Sequence, residues 1–158
     1  MTIFIVILIS ISLLGSILWI KPSEREQQQM QLRLMARKKA LVVQFTHIEL
    51  PDKWDKSKTK LKVMSYNKFR VKKAPSFTMD VNFYPYEVWK HYLIAEGWYA
   101  NTPVNLSKKA KDTLSGNLKR FTAIKISTDS VSLYWQEEGE ECLVDEINNL
   151  LIELEQLS

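Results

Sequence analysis

The sequence predicts an α+β fold behind an amino-terminal transmembrane helix, and three observations predict it. Residues Ile3 to Ile20 carry no charged side chain. Phe121 to Ser127 and Ser130 to Gln136 alternate apolar and polar residues around Thr128-Asp129, the pattern of an antiparallel hairpin. Leu143, Ile147, Leu150, Leu154 and Leu157 recur at helical spacing, the apolar stripe of an amphipathic carboxy-terminal helix. Strands and helices mix without strict alternation, which favours α+β over a parallel α/β sheet.

The first element is IFIVILISISLLGSILWI, and a helix of its eighteen residues would span roughly 27 Å, near the ~30 Å thickness of bilayer hydrocarbon. Met1-Thr2 has no basic residue, and Trp19-Ile20-Lys21-Pro22 is too bulky for signal-peptide cleavage. An uncleaved anchor over residues 1–20 is therefore expected, with Trp19, Lys21 and Arg25 at the membrane interface. Lys21, Arg25, Arg33, Arg37, Lys38 and Lys39 all follow the run, which places the amino terminus outside and the remaining chain in the cytoplasm.

Ser23 and Glu26 have capping-box spacing, and the Gln-, Leu- and Arg-rich stretch after them predicts a juxtamembrane helix within residues 21–40. Residues 41–158 form the expected cytoplasmic domain. Leu41 to His47 and Leu61 to Val71 read as strands. Phe77 to Pro85 reads as a short strand, Tyr86 to Ala95 as a helix, and Leu106 to Leu118 as a helix capped by Asn105 or Ser107. Glu140 to Leu157 closes the chain as a helix packed on the hairpin sheet.

The formal net charge of +4 over 158 residues conceals a polarised chain. Nine basic residues, Lys53, Lys56, Lys58, Lys60, Lys62, Lys68, Arg70, Lys72 and Lys73, stand against Asp55 in one stretch. Asp129 to Ser158 holds nine acids and no Lys or Arg, so the chain divides into +13 and then −9. Three readings stay open for the basic half: docking on an anionic membrane surface, neutralisation by the acidic helix within the fold, and nucleic-acid binding. No recognition-helix, finger or RNA-binding-strand motif accompanies the charge, which argues against nucleic acid. Seven rings crowd Phe83 to Tyr99, and Tyr86, Trp89, Tyr92 and Trp98 are candidates for an aromatic groove, the alternative being core.

Enzymatic signals are sparse. Four glycines stand apart, so no phosphate-cradling or dinucleotide loop can form, and no cofactor is expected. His47 and His91 belong to no metal-binding motif. Cys142 sits among Glu137, Glu138, Glu140, Glu141 and Asp145, which disfavour a thiolate; a buried or idle structural cysteine is expected. An enzyme would require Asp80, Glu87 or His91 to converge on one cavity. A non-enzymatic protein that binds a protein partner or organises a membrane complex is the expected function. The alternative within the enzyme class is a membrane-associated enzyme using the aromatic stretch as substrate groove.

The apolar helix, Lys21-Pro22 and SEREQQQMQLRLMARKKA together resemble the start of the YajC-like accessory subunits of the bacterial preprotein translocase. The likeness covers about residues 3–40, a quarter of the chain. It is similar to the same extent to bacterial single-pass membrane proteins of no assigned function. The resemblance implies a bacterial inner-membrane location and the translocase as a partner. The glycine-rich Gly-Asp-x-Val region of that family has no counterpart here.

Overall fold

The computed structural model describes residues 2–19, 22–54, 57–71 and 79–157, with the side chains of 16–19 left aside. The chain divides into two compact units, Met1–Met30 and Gln31–Ser158.

In the first unit, α1 runs Thr2–Trp19. Among the described residues no helix is long and apolar enough to cross a membrane. This finding corrects the expected transmembrane anchor. It also corrects the single-pass inner-membrane localisation and the membrane as partner. Helix α2, Glu24–Lys38, begins with the capping box read from the sequence. The Ser23 amide donates to Glu26 Oε2 at 2.8 Å and the Glu26 amide donates to Ser23 Oγ at 3.3 Å, so two otherwise orphaned donors are satisfied reciprocally.

The second unit is dominated by a seven-stranded sheet, where the sequence predicts a hairpin and three separate strands. Its strands are β1 (Val42–Pro51), β2 (Lys58–Phe69), β3 (Val81–Tyr84), β4 (Tyr92–Ala95), β5 (Trp98–Ala100), β6 (Phe121–Ile126) and β7 (Ser130–Trp135). All seven join one antiparallel sheet in the order β1-β2-β7-β6-β3-β5-β4. The predicted hairpin is β6–β7, now the centre of the sheet. Helices α3 (Lys108–Gly116) and α4 (Glu141–Glu155) lie where their periodicity places them, and Ser107 caps α3 by accepting from the Ala110 amide. The helix expected over Tyr86 to Ala95 is absent: the segment enters β4 and turns at Gly97, whose φ of 76° suits glycine. Sheet pairing supplies partners for its backbone that helical spacing of the rings could not foresee.

One face of the sheet carries the core. A transverse row of Tyr66, Leu133, Ile124, Phe83 and Ala100 crosses five strands, and each residue is fully buried. Leu143, Val144, Ile147, Leu150, Leu151 and Leu154 of α4 close over it, joined by Leu32 and Ala36 of α2. Leu143, Ile147, Leu150 and Leu154 are the stripe visible in the sequence, which shows why a period near 3.6 was a reliable guide there. Trp98 is buried completely beneath α3, with its indole N–H donating to the Leu114 carbonyl at 2.8 Å.

The opposite face is polar. Asn67, Ser132, Lys125 and Asn82 oppose one another across β2, β7, β6 and β3 in a single row. Ser65, Asn67 and Ser132 are nonetheless buried, and the sheet curls over this face, so that Ile48 and Leu50 of β1 border one cavity with Asn82 of β3 and Lys125 of β6.

Candidate functional site

The curl has an identifiable cause. β2 pairs with β7 only from Met64 to Phe69, so its first half, Lys58 to Val63, pairs with β1 alone. These residues and Thr46–Pro51 form a two-stranded arm extending past the end of β7. A free ribbon twists more than a sheet held on both sides, and here the arm bends over the polar face. Tyr86, just after β3, donates from its hydroxyl to the Pro51 carbonyl at 2.9 Å. β1 and β3 are separated by three strands in the sheet, yet they meet through this bond's neighbourhood.

Between arm and sheet lies a cleft of about 240 Å³, bordered by Ile48 and Leu50 from the arm and by Asn82, Tyr84, Lys125 and Tyr134 from the sheet. Burial raises the Tyr84 phenol above its ordinary value, and Tyr134 adds to the shift. Tyr86 is pushed up to about 12, first by burial and then by Tyr84 and Asp52. Both hydroxyls are therefore protonated donors at neutral pH. Lys125 is held by Asp80 at 2.7 Å, an exposed pair that fixes direction more than it stabilises.

The outer side of the arm differs in character. β1 is an edge strand, and Val42 and Phe45 on it are 40% and 65% exposed. Opposite Phe45, His47, Glu49 and Pro51 stand Met64, Lys62, Lys60 and Lys58, so the three lysines make a row on one face, one strand in from the edge. Glu49 faces two of them, Lys58 at 3.3 Å and Lys60 at 3.9 Å. At the tip Trp54 is 81% exposed, its amide donating to Asp52 Oδ1 at 3.1 Å in an Asx turn.

The sequence-derived candidates distribute as follows. Of the basic set, Lys53, Lys58, Lys60 and Lys62 gather on the arm, all exposed. Lys68 is half-buried, and Arg70 donates to the carbonyls of Leu154, Glu155 and Leu157 at the end of α4. Arg70 thereby meets the carboxy-terminal end of the acidic helix, where the last carbonyls carry the negative end of its dipole. Lys56, Lys72 and Lys73 lie outside the described residues, as does Lys21; the side chain of Trp19 is likewise outside, and Arg25 is exposed on α2. The four groove candidates do not converge. Trp98 is core, Tyr86 braces the arm, and Trp89 and Tyr92 are 68% and 53% exposed, with Lys90 stacked over Trp89 at 4.4 Å. Cys142 is exposed rather than buried.

Asp80, Glu87 and His91 do not meet in the cleft. Asp80 is engaged by Lys125, Glu87 is exposed, and His91 places Nδ1 3.1 Å from the Trp89 carbonyl. Among the described residues no three of His, Cys, Asp and Glu form a group that could hold a metal ion.

One buried ionic cluster escaped sequence reading. Arg33 grips Glu137 through both carboxylate oxygens at 2.6 to 3.0 Å, and the Tyr66 hydroxyl donates to the same carboxylate at 3.0 Å. The bond to Glu137 raises Arg33 against the opposing effect of burial, while burial, with Glu137 behind it, raises the Tyr66 phenol. Glu137 is 3% exposed and has a φ of 56° in the β7–α4 connection. Its run of acids looks like a solvated loop, and only the arrival of Arg33 from α2 makes it interior. No family model, curated protein or solved structure matches the chain.

Proposed function

We propose that the chain acts without catalysis, as a module that binds a protein partner through its β1–β2 arm. The observation that carries this reading is the outer edge of β1. It is ten residues long, and none of the described strands lies beyond it. Natural edge strands are blunted by short length, bulges, proline or lysine. β1 has no lysine or bulge, its only proline is the terminal Pro51, and it exposes Val42 and Phe45. Such an edge is a template for a second chain. The dispersal of Asp80, Glu87 and His91 supports the non-catalytic side of the reading.

The test is site-specific photocrosslinking of the intact chain in its source cells. A photoreactive residue at Phe45 is expected to give a discrete protein adduct, and one at Lys109, exposed on α3, none. Equal adducts at both positions, or none at Phe45, would overturn the reading.

A further inference from the structure

We propose that the partner segment is an extended acidic strand that adds to the free edge of β1 as the eighth strand of the sheet. The inference rests on the protein-binding reading above and specifies its chemistry.

The mode follows from the edge. Successive strands lie about 4.8 Å apart, so an added strand would run about 9.6 Å from β2, within the combined reach of a lysine and a glutamate side chain. The charge follows from the register. Lys58, Lys60 and Lys62 share one face with Phe45, His47 and Glu49. Among the described residues Glu49 is the one acid facing that row, which leaves the three lysines with an excess of two positive charges there. Side chains on one face of a strand recur every second residue, about 6.7 Å apart, and the lysines have that same spacing. Two carboxylates at positions i and i+4 of the incoming strand, flanking the place of Glu49, would complete the row. Like charges directly opposed on paired strands repel, so these carboxylates belong opposite His47, in line with Lys62, and opposite Pro51, in line with Lys58, rather than opposite Glu49.

A second copy of this chain fits the edge less well. Its β1 would bring a single carboxylate, Glu49, together with a second lysine row. An acidic strand compensates the lysines where self-pairing does not.

Fluorescence anisotropy on the intact chain tests the proposal with three ten-residue peptides. The first alternates valine and threonine around two glutamates at i and i+4, the second replaces both glutamates with lysine, and the third is the first with alternate backbone amides methylated. The acidic peptide is expected to bind, and to weaken several-fold when salt rises from ~0.05 M to ~0.5 M. The lysine peptide should not bind. The methylated peptide should lose binding because it cannot complete the ladder, and K58A/K60A/K62A should weaken the acidic peptide about tenfold. Equal binding of the methylated peptide would show charge attraction without strand addition. That result, or a chain dimer that persists in excess acidic peptide, overturns the proposal. Either can occur while crosslinking at Phe45 still captures a partner, so this inference can fail separately from the binding reading.

Discussion

Tyr86 and Pro51 are joined by a 2.9 Å hydrogen bond from phenol to carbonyl. The bond connects the segment after β3 to the end of β1, elements that no pairing brings together. It is the latch that keeps the arm bent over the polar face. One aromatic residue from a ring-rich stretch thereby sets the shape of the cleft and the position of the exposed edge.

Removing the latch should loosen the arm without unfolding the core. Tyr86→Phe loses a single half-buried hydrogen bond, worth about 1 kcal/mol. Emission from Trp54, which borders the same groove as Tyr86, should change while thermal unfolding moves little. Unchanged Trp54 emission would show that the arm is held by packing alone.

The same phenol gives the arm a pH dependence of known sign. Its value in the fold, about 12, lies above the ordinary tyrosine value near 10, so the protonated form is the one the fold favours. Its stabilising contribution is complete below about pH 10 and is lost as pH rises towards 12. Tyr66 and Tyr84 shift in the same direction, so all three act together in that range. Alkaline titration followed by Trp54 emission should show arm opening in the native chain, and Tyr86→Phe should flatten that part of the curve.

The Glu137 cluster should be the most sensitive polar site in the molecule. Glu137→Ala leaves the Tyr66 hydroxyl buried without its acceptor and Arg33 without its anion, a loss of about 2–4 kcal/mol. Glu137→Gln keeps an acceptor and should lose less. Chemical denaturation of the two variants measures the order, and equal losses would show that the charge itself carries the effect.

Helix α2 ends in a Schellman turn with alanine where glycine is usual. The Leu41 amide donates to the Ala36 carbonyl and the Ala40 amide to the Arg37 carbonyl, both at 3.0 Å, with Ala40 at a φ of 58°. Ala40→Gly should relieve the left-handed conformation and raise stability by about 0.5–1 kcal/mol. A fall in denaturation midpoint would contradict this.

Gly97 is the opposite case. Its φ is 76°, and a Cβ there would collide with the side chain of Leu118. Gly97→Ala should cost about 1–3 kcal/mol by combining backbone strain with overpacking beside Trp98. Leu118→Ala in the same chain should restore part of the loss, since it removes the clashing atoms but not the strained φ.

The amino-acid sequence by itself determined what is local. The β6–β7 hairpin, the stripe of α4 and the Ser23–Glu26 capping box were legible because alternation, helical period and a three-residue spacing are properties of short segments. The lysines at 58, 60 and 62 were visible as charge, and their common face follows from a period of two. Tertiary structure alone decided which strand became the edge, that Tyr86 would brace Pro51 while Trp98 entered the core, and that Glu137 would become interior. Each of these depends on pairing between segments far apart in the chain, with Arg33 and Glu137 separated by 104 residues. Such pairings arise from the competition of many surfaces for burial and leave no period in the sequence. The polar row from Asn67 to Asn82 belongs to both levels: alternation put polar residues on one face of each strand, and strand order turned them into a continuous surface.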